Sequence, residues 1–241
     1  MSSEKVELKL DWCSHEAAKF ACEHWHYSKC MPAGKLVQVG VWENKIYIGC
    51  IIFGRGAINN IGKPYRLEQV ECIELVRIAL NKHYYPVSRI LSLALKMLKK
   101  QSPGLRLIVS YADSGKGHSG GIYQATNWIF EGDSFDSWIV VNGKPTHRRS
   151  LGGKYGTNSL DWIIKNIDPR AERINMPAKH KYLMPLDDDM RKQIEPLRKP
   201  YPKKPCAGSE TVTRQPIQAG EGGSIPTPAL IDKQGEINAI R

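Results

Sequence analysis

Residues 105–132, LRLIVSYADSGKGHSGGIYQATNWIFEG, decide the reading of the fold. The continuous apolar run 105–110 predicts a buried strand, and the polar, glycine-rich segment 112–121 leads into a short helical pattern through Tyr123, Ala125 and Trp128. A strand that ends in such a loop and enters a helix puts the loop at the carboxyl edge of a sheet, where open α/β sheets bind ligands. The loop carries Asp113, Ser114, His118 and Ser119. The same Asp and Ser types also serve as ordinary caps, so the loop alone supports a site and a solvated connection equally. Trp128, in helical spacing with Tyr123 and Ala125, is expected in the core.

Toward the N-terminus, 88–100 is the strongest helical pattern, with Ser88 as its expected cap and lysines in its last turn. Unsatisfied amides at its start, beside Lys82 and Arg89, suit an anion, although NKHYYPVSR (81–89) lacks the glycines of a pyrophosphate loop. Segment 70–80 is apolar on both faces and reads as a central strand, in which Glu74 and Arg77 need partners or a cavity. Runs 36–42 and 45–53 form a hairpin about Glu43-Asn44, and 14–25 a helix capped by Ser14 after an opening strand at 5–10. That helix ends in HWHYSKC, where His24, His26, Tyr27 and Cys30 crowd together; with Cys13, His15 and Cys22 they match no zinc spacing. The excursion 55–66 carries Arg55, Lys63 and Arg66, suited to phosphates or to water.

Toward the C-terminus, a strand at 134–141, the turn signal Asn142-Gly143 and a returning strand at 145–151 predict a basic hairpin. It carries His147, Arg148 and Arg149 and leads into GGKYG, which holds Lys154. A helix at 159–167 stops at Asp168-Pro169. Past residue 185 the composition turns to Pro, Gly, Ser and charge, so the expected division is a folded domain over 1–185 and a flexible tail over 186–241.

The net charge of +11 belongs to the folding part: residues 1–186 hold 26 Lys/Arg against 16 Asp/Glu, and the remainder 9 against 8. A basic folded surface favours a polyanion, nucleic acid first. No apolar run approaches a membrane span and the N-terminus lacks an apolar signal segment, so a soluble cytoplasmic protein without membrane contact is expected. Six cysteines without a CxxC pair argue for reduced thiols.

The order of elements resembles the GNAT-type acyltransferase fold, an α/β architecture with a mixed, largely antiparallel central sheet flanked by helices. HWHYSK (24–29), ELVRIAL (74–80) and SYADSGKGHSGGIYQATNWIFEG (110–132) are similar to the Mom DNA-modification family of Mu-like phages, over about residues 5–170. The resemblance implies an enzyme of the host cytoplasm that converts N6 of adenine in double-stranded DNA to its carbamoylmethyl (acetamido) form, shielding phage DNA from restriction. It implies catalytic roles for His26, Tyr27, Asp113, Ser114 and Tyr123. It also implies an acetyl-CoA or related acyl or glycyl donor, with its diphosphate at Val87, Ser88 and Arg89 and its arm along Arg77, Ile78 and Leu80. DNA would lie on Arg55, Lys63, Lys116, His147, Arg148, Arg149 and Lys154, and a homodimer is compatible with this. Because a carbamoylmethyl group is joined through its methylene carbon, simple acetyl transfer does not make it. Two routes stay open: iron held by His26, Asp113 and His118, or a glycine-derived donor without metal. A conventional GNAT acting on a small amine or protein, and a non-catalytic DNA-binding protein, are the alternatives.

Overall fold

The computed structural model describes residues 6–55, 60–135 and 137–203, with the Arg149 side chain outside that set. The chain divides into two compact units, residues 1–105 with 204–241, and residues 106–203.

In the first unit, β1 (Leu8–Trp12), β2 (Leu36–Glu43), β3 (Ile46–Gly54) and β4 (Cys72–Leu80) pair antiparallel in that order. The β2–β3 turn falls at Asn44 and Lys45, one residue later than expected. Both have positive φ, which matches the twist of a two-residue hairpin. Helix α1 (His15–Trp25) starts where Ser14 accepts a hydrogen bond from the Ala17 N–H. Its buried stripe is Ala18, Ala21 and Cys22, small residues that pack closely on Cys50 and Ile52 of β3 and Ala79 of β4. Helix α2 (Val87–Gln101) buries Ile90, Leu91, Ala94, Leu95 and Leu98, and each large apolar side chain there contributes about 1.5–3 kcal/mol. Its cap position is Pro86, without a side-chain bond, so Ser88 is not the cap. The fixed φ of proline starts the turn instead.

The second unit is built on β5 (Leu107–Asp113), β6 (Ile129–Ser134) and β10 (Lys179–Pro185), with β10 paired antiparallel to both others. Between β5 and β6 lies the short helix α3 (Gly121–Ala125); Trp128 follows it, fully buried as expected. Between β6 and β10 the chain forms a module with its own core: β7 (Ser137–Val141), β8 (Lys144–His147), α4 (Arg148–Tyr155), α5 (Leu160–Asn166) and β9 (Glu172–Asn175), around Ile139, Val141, Leu151 and Ile163. The hairpin turn at Asn142-Gly143 is where the sequence places it, and Ser159, read as the start of the helix, is the residue that caps it. The returning strand is short, however, and the basic stretch after it is α4, because Leu151 reaches the module core from a helix. Asp187 caps α6 (Asp188–Ile194), whose Met190 and Ile194 are buried. Residues 186–203 are therefore part of the second unit, not of a tail, and 204–241 lie outside the described residues.

The mixed α/β architecture expected of a GNAT-like fold, with largely antiparallel sheets and flanking helices, is present. Among the described residues no helix is long and apolar enough to cross a membrane.

Candidate active site

Two loops hold the residues expected to carry the chemistry. In the first unit α1 ends at His26, whose backbone turns extended and whose ring is almost completely buried. The Ser28 backbone N–H donates to His26 Nδ1 at 3.1 Å, with Ser28 Oγ 2.8 Å away. A backbone N–H can only donate, so Nδ1 is unprotonated and the neutral ring carries its proton on Nε2. His26 is thereby set up as a hydrogen-bond donor through Nε2. Tyr27 lies against it, ring centroids 4.2 Å apart, with half of its surface (51%) exposed. Lys29 Nζ binds the His24 carbonyl at 2.7 Å, and His24 Nδ1 lies 2.9 Å from the Phe20 carbonyl, so His24 belongs to the helix end.

In the second unit Asp113 is the last residue of β5, half-buried, and its carbonyl accepts from the His118 N–H at 3.1 Å. The loop between them is a 3₁₀ turn, Ser114–Lys116, closed by Gly117 in the left-handed region. Ser114 Oγ donates to the Ala178 carbonyl, which leaves that hydroxyl as an acceptor only. Ser110 Oγ donates to the Tyr123 hydroxyl at 2.8 Å. With one lone pair so occupied, the phenol keeps its own proton as a donor. Lys116 and His118 are exposed.

The strand expected to take a donor's arm has a feature the alternation pattern does not signal. Ile52 pairs with Arg77 but Phe53 with Leu75, so β4 bulges at Val76. Bulges re-aim side chains and often border sites. Arg77 Nη1 binds the Val76 carbonyl at 3.1 Å, while its Nε is buried without a partner. Hydrogen bonding from Cys50 first, and then the Arg77 guanidinium, hold the Cys22 thiol below the ordinary range. Burial pushes Cys13 up to about 11.

At the start of α2 the expected diphosphate site is partly filled from within. The N–H groups of Tyr84 and Tyr85 both donate to the Glu43 carboxylate, at 2.8 and 2.9 Å. Arg89 stacks over the Tyr85 ring at 4.6 Å. The first-turn amides of Val87 and Ser88 have no partner within the helix, and Lys82 is exposed. A cleft of about 510 Å³ in the second unit, between β6 and residues 196–199, contains none of the expected site residues.

The iron expected on His26, Asp113 and His118 finds no support: among the described residues no group of three His, Cys, Asp or Glu side chains is placed to hold a metal ion. His26 shows why: ligation through Nε2 would require the proton on Nδ1, where the Ser28 N–H already points. Of the residues expected to meet DNA, Arg55, Lys63, Lys116 and Lys154 are exposed, and His147 and Arg148 half-buried. Arg148 Nη2 bonds Asn158 at 3.4 Å and Lys154 lies over the Tyr155 ring. Arg149 contributes its backbone to α4, and its side chain is outside the described set.

The fold defines a mixed α/β protein with largely antiparallel sheets flanked by helices. The comparisons narrow this: the Mom protein family model matches residues 7–203, and the chain belongs to that family. The methylcarbamoylase Mom of Escherichia phage Mu is 24% identical over 209 residues, which cover 82% of this chain and 84% of the relative. Two solved structures align more loosely. An acetyltransferase candidate from Acinetobacter baylyi has 13% identity and a TM-score of 0.41, covering 76% of this chain and 95% of that one. A Bacillus subtilis acetyltransferase in complex with CoA has 11% identity and a TM-score of 0.38, covering 76% and 100%.

Proposed function

We propose that this chain is a DNA-modifying transferase that replaces one hydrogen on N6 of adenine in double-stranded DNA by a carbamoylmethyl group, a mark that protects phage DNA from restriction in the host cytoplasm. The observation that carries this reading is membership of the Mom family over residues 7–203, taken with a phage relative whose name specifies transfer of a methylcarbamoyl group.

The chemistry sets the demands. Adenine N6 is delocalised into its ring and nucleophilic only as its proton leaves, so a base must stand within hydrogen-bond reach. Asp113, a half-buried carboxylate at the end of β5, is assigned that task. His26 is not, because its Nε2 carries the proton; it donates to an oxygen of the incoming group, as does the Tyr123 phenol. Ser114, its proton committed to Ala178, accepts. N6 is paired in the duplex and must be extruded to react, and exposed Tyr27 is the surface on which the base would stack.

The new bond joins N6 to a methylene carbon, so the donor presents that carbon activated and leaves with the electron pair that held it. An acyl-CoA-type or glycyl-derived unit that bears such a leaving group on its α-carbon is the proposed class; acetyl-CoA itself has only hydrogens there. A diphosphate on it would use Val87 and Ser88, and its arm would follow Arg77, Ile78 and Leu80. Arg55, Lys63, Lys116, His147, Arg148, Arg149 and Lys154 would contact DNA phosphates, a salt-sensitive and sequence-independent contribution.

Mass spectrometry of nucleosides from plasmid DNA of cells expressing the chain tests the reading. Carbamoylmethyl deoxyadenosine is expected with the intact protein and a reduction of about 100-fold or more with Asp113→Asn. Unmodified adenine with folded intact protein refutes DNA modification and leaves a small-amine or protein acyltransferase.

A further inference from the structure

We infer that Tyr182, on a strand the sequence does not mark out, is a positioning residue for the 113–123 loop, and that residues 198–203 brace it. This rests on the reading of that loop as catalytic.

Tyr182 is fully buried on β10, opposite Ser110 of β5. Its hydroxyl donates to the Ser119 carbonyl at 2.6 Å. Gln124 Nε2 donates to the same carbonyl at 3.0 Å and approaches the Tyr182 hydroxyl at 3.4 Å, so two groups from two stretches of chain close on one loop atom. The ring lies directly under the next residue. A Cβ on Gly120 would sit 2.3 Å from it, and Gly120 has φ +74°. The same ring is 4.9 Å from Tyr123, which in turn is 4.9 Å from Trp128. One side chain thus fixes the turn at Ser119-Gly120 by hydrogen bonding and the Tyr123 phenol by packing. Burial raises the Tyr182 phenol, keeping it a neutral donor.

The far side of the ring is backed by the end of the unit. Tyr201 stands 6.4 Å away, stacked; its hydroxyl donates to the Trp128 carbonyl at 2.5 Å, and the Lys199 N–H donates to the Phe130 carbonyl at 2.8 Å. Within RKPYPK, a stretch that reads as solvated tail, Lys199 is pinned to Phe130 of β6 and Tyr201 to Trp128 just before it. A buried tyrosine hydroxyl must find a partner, and a phenylalanine would fill the same core without that demand. Here that hydroxyl is spent on a loop whose four glycines (115, 117, 120 and 121) give it little stiffness of its own. Misplacement of a reacting group by about 1 Å costs rate on the order of 100-fold, which is why such bracing matters to chemistry rather than only to folding.

The test uses Tyr182→Phe in the full chain. Gln124 still satisfies the Ser119 carbonyl, so the fold is retained. The expected results are a fall in kcat of about 10- to 100-fold at unchanged KM for DNA, and faster amide exchange confined to the peptide covering 117–121. Should Tyr182→Phe not fold, Tyr201→Phe is read by the same two measurements, with a smaller shift of the same sign. Wild-type kcat together with wild-type exchange in the folded variant overturns the inference. If the intact protein does not modify DNA at all, the proposed function falls, while the exchange measurement still decides whether Tyr182 holds the loop.

Discussion

The end of α1 and the loop after β5 both hold residues proposed for the chemistry and are held in opposite ways. His26 is oriented by Ser28, two residues on, and Tyr27 lies on it as an immediate neighbour. The 113–121 loop is held by residues more than 60 positions away: Ala178 on Ser114 and Tyr182 on Ser119. Locally braced groups keep their geometry while the turn exists, whereas the second loop keeps its geometry only while β10 is docked. Damage to the second should therefore spread and damage to the first should stay local.

The largest break of this comparison is Gly120→Ala. A left-handed alanine costs about 1–3 kcal/mol, and forcing the new methyl against the Tyr182 ring about 1–3 kcal/mol more. We expect a loss on the order of 3–4 kcal/mol in urea unfolding, with near-native far-UV dichroism. A loss below about 1 kcal/mol would show that the turn can relax and that the brace is loose.

At the other loop, Ser28→Ala removes the Ser28 hydroxyl from His26 Nδ1 but leaves the backbone N–H in place. A cost of about 1 kcal/mol or less is expected, with the Nε2–H tautomer retained in the nitrogen chemical shifts of His26. A tautomer change would break the argument that bracing here is local and backbone-made.

The inserted module supplies the mildest test, through pH. Hydrogen bonds from the Asn142 and then the Arg170 backbone N–H groups hold the Asp168 carboxyl below the ordinary aspartate range. A lowered native value means that the stabilisation is complete above about pH 4 and lost as the pH falls toward that lowered value. Trp162 and Trp138 fluorescence should report loosening of the module on acidification in that window, and Asp168→Asn should remove the pH dependence while lowering stability at neutral pH. An unchanged acid profile in the variant would locate the titration elsewhere.

Local signals in the chain were sufficient for the Ser14 cap, the Asn142-Gly143 turn, the buried run of β5 and the burial of Trp128, because each depends on a few adjacent residues. They were insufficient for α4, since Gly152 and Gly153 weaken any helical pattern and only Leu151, packed on the module core, commits the stretch. They also missed β10. Its first half, Lys179-His180-Lys181, reads as exposed, yet Lys181 pairs with Glu131 at 2.9 Å and His180 with Asp133 at 2.7 Å, both on β6.

For the candidate residues the division is the same. The proposal that His26, Tyr27, Asp113, Ser114 and Tyr123 carry the chemistry rests on residue types and motifs, which are read from the chain alone. The proton on His26 Nε2, the spent hydroxyl of Ser114, the Glu43 carboxylate on the Tyr84 and Tyr85 amides, and Tyr182 beneath Gly120 were decided only by tertiary structure. The reason is physical: a hydrogen bond is set by which donor faces which acceptor within about 3 Å, and except at Ser28 those partners are brought together by strand pairing and packing rather than by proximity in sequence.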